Sequence, residues 1–369
     1  SSWYFYNFRK ELIREIKKKG YKLLVICPED EYSIELEKIS ELIFWNLNRS
    51  SINIFKEIYS IIFLIKALQK IKPTLIHTFT MKASIYGTIA ALVTNRKIVV
   101  NSLTGLGTLF LSKNIIIKII RFFLLPLIKL LFIKKSSKLI LQNHEDHNYL
   151  INLGITNIKK SIVIPSSGIN LKYFKPGFEK KSKYFKILFP SRLIKQKGIL
   201  ELLDAFKTIW KEGYKFKLYI AGDVDNGNIS TLSKDEVSEL KRNKNIILLG
   251  HIKNMKRIYS KIDIVVLPSW REGLSKSLLE ASAMEKPIIT TDVPGCRDVI
   301  THKKTGLIVN VRDSKAIKDS ILYLYRNASI ANKLGKNARK NVLKNFEVNK
   351  VNDQTLKVYS ELIHSKNKK

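Results

Sequence analysis

Short runs of β-branched and aliphatic residues alternate with longer helix-period segments along the whole chain, and that alternation leaves few folds open. In the first half, strands are predicted at Lys22–Cys27, Thr74–His77, Lys97–Val100, Lys138–Gln142 and Ser161–Ile164. Helices are predicted at Ile54–Ile71, which Pro73 ends, and at Ala83–Val93. Pro176-Gly177 and the Lys-rich stretch Glu179–Lys183 then read as a linker. A second series follows. Its strands are Phe185–Phe189, Phe216–Ala221, Ile246–Leu249, Ile264–Leu267, Pro287–Thr291 and Gly306–Val309. Its helices lie near Gly198–Glu212, Ser275–Met284, Asp313–Arg326 and Ile330–Asn345, and a last helical pattern runs Val348–Ser365. Strands separated by helices cannot pair as hairpins, so each half reads as a parallel α/β sheet. Two such domains in series place a ligand at the carboxyl ends of their strands, in the cleft between them. The chain opens on Ser1-Ser2-Trp3 and a helix-like segment through Lys19 rather than on a strand, which predicts that a first strand is missing from the front.

With 369 residues, 45% of them hydrophobic, the chain can bury two cores. Its net charge of +35 favours anionic partners: nucleic acid, an acidic membrane surface or phosphorylated substrates. Lys, Ile and Asn are abundant everywhere, so general composition accounts for part of that charge. No nucleic-acid module is recognisable, and the aromatics lie mostly in apolar runs rather than among basic residues. Cys27 and Cys296 fall in different predicted domains, which implies no disulfide framework and a reducing cytoplasm. No signal peptide is visible.

The stretch Asn114–Ile133 is strongly apolar yet carries Lys118, Arg121 and Lys129, and no acid occurs from Asn114 to Asn143. At about 100° per residue, Lys118 and Lys129 fall about 20° apart, with Arg121 about 60° to one side, which makes one cationic stripe. Three charges and Pro126 speak against a spanning helix. An in-plane helix at an anionic membrane surface fits better, against the alternative of core helices with snorkelling lysines.

Two segments carry the chemistry. Pro190-Ser-Arg-Leu-Ile-Lys-Gln-Lys-Gly198 puts Arg192 and Lys197 in a loop after a strand. A guanidinium fork and an ammonium point charge suit a leaving diphosphate without a metal. Glu272-Gly-Leu-Ser-Lys-Ser-Leu-Leu-Glu280 places one carboxylate in a loop after another strand and a second inside the helix that follows. Ser275 is predicted to cap that helix, whose first N–H groups, near Leu274–Ser277, suit an anion. Together these residues fit a nucleotide-diphosphate sugar, with Glu272 for sugar hydroxyls and Glu280 for the ribose. His144 and His147 flank Glu145 and Asp146, but nothing completes a metal site, so no metal is expected. His77, at a predicted strand end, is open between a site residue and a structural one.

Arg271-Glu-Gly-Leu-Ser-Lys-Ser-Leu-Leu-Glu-Ala281 resembles the E-x7-E signature of the retaining GT-B glycosyltransferases of family 4. Ser191–Gly198 resembles that family's phosphate loop, and Gly250-His-Ile-Lys-Asn-Met255 its base-binding turn. Thr291-Asp-Val-Pro-Gly-Cys296 and Ser167-Gly-Ile-Asn170 resemble further family segments, the latter a cleft-lining turn in which Gly168 takes an unusual backbone angle. Ile76–Ala83, Asn101–Gly107, Gln142–Asp146 and Trp3–Arg9 resemble a subset that extends undecaprenyl-diphosphate sugars with N-acetylhexosamine. The resemblance implies two Rossmann-like domains facing across a cleft: an acceptor domain over residues 1–177, a nucleotide-sugar domain over 178–347, and a final helix, 348–369, crossing back to the first domain. It implies a retaining, metal-independent transferase acting at the inner face of a bacterial plasma membrane. Arg192, Lys197 and Glu272 are its expected catalytic residues, and Gly222, His251, Ile252, Gly273, Leu274, Ser275 and Glu280 complete the UDP-sugar site. The chain departs from the family in having Ser275 where Pro is usual, and in lacking a His in the loop that reads Thr104-Gly105. A UDP-sugar epimerase on a similar fold is the nearest rival, and a nucleic-acid-binding protein the more distant one.

Overall fold

The computed structural model describes all residues except 49, 50, 52, 108, 109, 111–114, 136, 166, 178–182, 226, 227, 229, 368 and 369. The chain forms two compact units, Ser1–Ser167 with Asn349–Lys369, and Gly168–Val348.

In the first unit, β1 (Leu24–Cys27) pairs in parallel with β2 (Glu41–Phe44). A separate parallel sheet runs β3 (Leu75–Phe79), β4 (Ile98–Leu103), β5 (Lys138–Leu141), β6 (Ser161–Val163) in that order. Every β4 residue is buried, as expected of a strand covered on both faces. The helix Met81–Val93 lies between two others. Through Ala83, Tyr86 and Ala90 it meets the helix Ile54–Ile71. Through Met81, Ile85 and Ile89 it meets the end of Ile115–Leu130 and the π-helical turn Leu131–Lys135 that continues it. The amino-terminal helix is continuous but passes through a π-turn at Phe5–Arg9 before Lys10–Lys18. The carboxyl-terminal helix, Val348–Asn367, puts Val351, Leu356, Val358 and Tyr359 into one core with Leu12, Ile16, Val100 and Ile140.

The second unit is one parallel sheet of six strands: β7 (Phe185–Phe189), β8 (Phe216–Ala221), β9 (Ile246–Gly250), β10 (Ile264–Leu267), β11 (Ile288–Thr291) and β12 (Leu307–Val309). Their spatial order is β12-β11-β10-β7-β8-β9, the doubly wound arrangement. β7 pairs with β10 through Ile187↔Ile264 and Leu188↔Val265. The chain winds outward in opposite directions from that pair, so the loops leaving their carboxyl ends part and open a crevice.

The unit boundary falls ten residues earlier than the Pro-Gly signal places it, because residues 168–177 belong to the second core. Ile169, Leu171 and Phe174 are buried there. Ile169 accepts from the Val348 N–H and donates to the Phe346 carbonyl, at 3.1 and 2.8 Å. Gly168 has φ +68°, and a Cβ on it would lie 2.6 Å from the Val348 Cα, so both the backbone angle and the close approach require glycine. The Lys-rich part of the expected linker lies mostly outside the described residues.

Candidate active site

The β7/β10 junction brings together Lys197 and Glu272, two of the residues singled out in the sequence. The loop after β7 folds into a short turn, Lys195–Lys197, that ends at Gly198. Gly198 has φ +76°, and a Cβ there would lie 2.0 Å from the Pro268 carbonyl oxygen. Only glycine lets the β7 loop seat this closely on the β10 loop. The Trp270 N–H donates to the Gln196 carbonyl at 2.9 Å and ties the two loops again. The Trp270 indole donates to Glu201 at 3.0 Å and carries the Arg312 guanidinium over its ring.

This seating brings Lys197 to Glu272. The ammonium donates to Oε1 at 2.5 Å, and the side chains are 16% and 11% exposed. The Ser269 hydroxyl donates to the same oxygen at 2.8 Å. Both partners therefore converge on Oε1, and among the described residues none engages Oε2. A carboxylate oxygen that stays open beside a nearly buried cation is a ready acceptor for a hydroxyl. Lys197, with three N–H bonds, can hold Glu272 and still donate to an anion.

Arg192 is paired with Asp225, beyond β8, and keeps a half-exposed side chain. Gly222 ends β8 against this loop: a Cβ on it would meet the Ser191 carbonyl oxygen at 2.1 Å. The Leu193 N–H donates to the Asp223 carbonyl at 3.0 Å, which fixes the β7 loop to the β8 loop. His251 and Ile252 follow β9, two strands away from the junction.

The Glu272–Ser275 turn packs on the loop after β11. Gly295 has φ +73°, and a Cβ there would lie 2.6 Å from the Gly273 carbonyl oxygen. Asp298 holds that loop by accepting the Gly295 N–H at 2.8 Å. Ser275 occupies the N-cap position of the helix Lys276–Ala283, but its side chain does not cap. Its hydroxyl lies 3.2 Å from that of Ser277 instead. The helix still brings its positive end to the loop that carries Glu272.

Glu280 is buried, not the solvated helix residue its position alone allows. Burial raises its pKa, and Lys276, 3.7 Å away, opposes that rise. Tyr259, fully buried beside it, donates to the Ser277 carbonyl at 3.0 Å. Cys296 is buried, its thiol pushed up to about 12 by burial and by the Glu272 charge, so it is inert.

His77 takes the structural role. It is half-buried between Ser102, at 2.7 Å, and the Tyr359 hydroxyl. Burial, with the Arg9 charge, holds its pKa well below the usual value, so it is neutral. His147 bonds to Ser161 at 2.8 Å, and among the described residues no group of acids, histidines and cysteines could hold a metal.

Ser269, Asp225, Asp298 and Tyr259 were not read from the sequence. Asp225 had a usable signal, lying three residues past Gly222 at a strand end. Ser269 and Asp298 each bond a group three residues away in their own loop, Glu272 and Gly295, and Tyr259 reaches the Ser277 carbonyl 18 residues on.

Comparison with known proteins decides the family. The family description "Glycosyl transferase 4-like" matches residues 1–143 and "Glycosyl transferases group 1" matches residues 173–341. The capsular polysaccharide biosynthesis glycosyltransferase CapM of Staphylococcus aureus is 30% identical over 309 residues, 81% of this chain and 79% of CapM. The chain belongs to the group 1, GT4-like glycosyltransferases. A Campylobacter jejuni relative, the N,N'-diacetylbacillosaminyl-diphospho-undecaprenol α-1,3-N-acetylgalactosaminyltransferase, is 28% identical over 97% of this chain and 96% of its own. Among solved structures, Anabaena HepE in complex with UDP and glucose matches with a TM-score of 0.76 at 19% identity, over 95% of this chain and 96% of HepE. Sucrose-phosphate synthase from Thermosynechococcus elongatus matches at 0.80 and 20% identity, over 96% of this chain and 92% of its own. At such identities the likeness shows the fold, and the transferase has the GT-B fold of two Rossmann-like α/β units.

Proposed function

We propose that this glycosyltransferase moves a sugar, an N-acetylhexosamine, from a UDP-sugar to an undecaprenyl-diphosphate-linked sugar, with retention at the anomeric carbon. The open Oε2 of Glu272 beside Lys197 carries the proposal, because it puts a hydroxyl acceptor and a phosphate donor within one side-chain length. The acceptor class is supported by the names of two relatives. One is the Campylobacter enzyme. The other is an Escherichia coli UDP-Gal:α-D-GlcNAc-diphosphoundecaprenol α-1,3-galactosyltransferase, 25% identical over 86% of this chain.

In the proposed reaction the bond from the anomeric carbon to the β-phosphate oxygen breaks, and charge builds on that phosphate. Arg192 and Lys197 stabilise the charge, and no metal is required. The acceptor hydroxyl attacks from the face the phosphate leaves, and the departing phosphate oxygen takes its proton. Glu272 Oε2 holds a donor-sugar hydroxyl, Glu280 the ribose, and the backbone at His251–Ile252 the uracil. The transferase works at the cytoplasmic face of the plasma membrane, with the helix Ile115–Leu130 on the anionic lipid surface. That helix exposes Phe122 and Phe123, each 73%, among Lys118, Arg121 and Lys129. No helix among the described residues is long and apolar enough to cross a membrane.

The test is UDP release from a panel of UDP-sugars, with and without an undecaprenyl-diphosphate sugar. Release that needs the lipid acceptor and prefers one UDP-N-acetylhexosamine is expected. Conversion of a UDP-sugar without UDP release would instead establish an epimerase.

A further inference from the structure

The helix Ile54–Ile71 is apolar on two opposite faces. Ser60, Leu64 and Leu68 are buried, with Leu64 and Leu68 packed toward Met81–Val93. At about 100° per residue, Phe55, Ile58, Tyr59 and Ile62 cluster on the far side, centred roughly opposite Leu64. All four are exposed, Phe55 to 83%, and Ile54 beside them to 71%. An ordinary surface helix carries polar residues there. Glu57 fixes the outward aim: it pairs with Lys82 at 2.8 Å and accepts from the Tyr86 hydroxyl at 2.5 Å, both on the neighbouring helix.

Length explains the exposure. Ile54–Ile71 has 18 residues, about 27 Å of helix, and leads directly into β3, whose five residues span about 17 Å. Its amino-terminal half therefore overhangs the sheet at the carboxyl ends of the strands. The helix Ile115–Leu130 with its π-turn does the same before β5; its amino-terminal half exposes Ile115, Ile119, Ile120, Phe122 and Phe123, and lesser exposure continues through Leu127 and Leu130. Both helices pack on opposite sides of Met81–Val93, so both apolar ends rise from the same end of the unit.

Both helices carry cations beside their exposed apolar residues. On Ile54–Ile71, Lys66 and Lys70 continue the outer face behind the apolar end, and both are exposed. On Ile115–Leu130 the cations are Lys118, Arg121 and Lys129. Exposed apolar residues bordered by cations match a bilayer's acyl boundary and anionic headgroups.

We infer that Ile54–Ile71 is a second membrane-inserting helix, and that it and Ile115–Leu130 form a two-point footing on an anionic bilayer. The inference rests on the membrane-surface reading above and deepens it. One helix could rotate on the surface, whereas two insertion points fix the unit's orientation and hold the carboxyl ends of its strands toward the lipid. One modest anchor gives reversible binding and two give stable binding, because the second engages at a high effective concentration.

The experiment uses the full chain with single cysteines introduced as Ile58→Cys, Phe122→Cys and Leu92→Cys and labelled with bimane. Native Cys27 and Cys296 are buried, so the introduced thiol labels first. Leu92 is exposed at the other end of Met81–Val93 and serves as the control. Vesicles contain phosphatidylglycerol and phosphatidylcholine, or phosphatidylcholine alone, each with nitroxide-labelled lipid. Positions 58 and 122 are expected to be quenched in anionic vesicles and position 92 to stay bright. Phe55→Ser with Ile58→Ser is expected to lower partition at least tenfold without changing the melting temperature. Quenching at 122 but not 58 would overturn the two-point footing and leave the single-helix reading standing. Quenching at neither, with no co-flotation, would overturn both. Equal quenching in neutral vesicles would remove the electrostatic half. A dimer mass with position 58 shielded before vesicles are added would assign the face to a second copy of the chain.

Discussion

Replacing Lys197 with Met leaves the Glu272 carboxylate 11% exposed, with the Ser269 hydroxyl as its partner. Removing one member of a buried ion pair costs about 3–5 kcal/mol, and the residual exposure puts this site at the lower end, about 3 kcal/mol. For a unit of this size each kcal/mol moves the melting temperature by about 2–4 °C, so Lys197→Met should lower it by roughly 6–12 °C. Lys197→Met combined with Glu272→Gln removes both charges and should regain most of that loss. Turnover follows a different rule. Loss of one donor to the charge that develops on the leaving group costs about 10²–10³ in kcat, and the double variant should recover none of it. Calorimetry and UDP release on wild type, both single variants and the double variant form a complete cycle. Single-variant losses that add up in the double, with coupling under about 0.5 kcal/mol, would refute the pair's structural role. Lys197→Met turnover within threefold of wild type would refute its catalytic one.

Gly198→Ala forces a left-handed alanine and a Cβ 2.0 Å from the Pro268 carbonyl oxygen. It should cost at least ~2 kcal/mol and raise the donor KM, checked by melting and initial rates. The raised Glu280 pKa means the carboxylate takes up its proton above the usual 4.5. Donor KM should therefore climb as pH falls through that raised value, and Glu280→Gln should abolish the acid limb while keeping KM high throughout. The linked stability effect has the opposite sense: a pKa raised by folding contributes stability at low pH that is lost as pH rises through the folded value. Melting of the wild type minus that of Glu280→Gln should decrease with pH across this window. Asp225→Asn frees Arg192 from an ion pair that a diphosphate must otherwise displace. Exposed pairs are worth about 0.2–1 kcal/mol, so UDP should inhibit this variant up to about fivefold more tightly, read by titration calorimetry.

The sequence by itself determined the succession of elements. Phe185–Phe189, Phe216–Ala221, Ile264–Leu267 and Ile54–Ile71 are where periodicity and chain-breaking residues place them, because such signals are local. It also singled out Arg192, Lys197, Glu272 and Glu280 by residue type and spacing, and the roles proposed for them await the variants above. Some local signals went unread: Ser233 and Glu236 form a capping box at the helix Lys234–Arg242. β2, four residues of mixed exposure, has no periodic signature to find. Tertiary structure decided the rest. Parallel strands pair across long intervals, so only the folded sheet sets β7 against β10 and brings Lys197 onto Glu272 from 75 residues away. The unit boundary lies at Gly168 because Ile169, Leu171 and Phe174 gain more by burial than the Pro-Gly turn gains by ending a domain. Periodicity alone does not say what Phe55 and Ile58 face, whereas the basic, acid-free stretch around Phe122 already points to a lipid surface. The overhang of their helices past short strands leaves them outside, because burial depends on what lies opposite a side chain and not on its hydrophobicity alone.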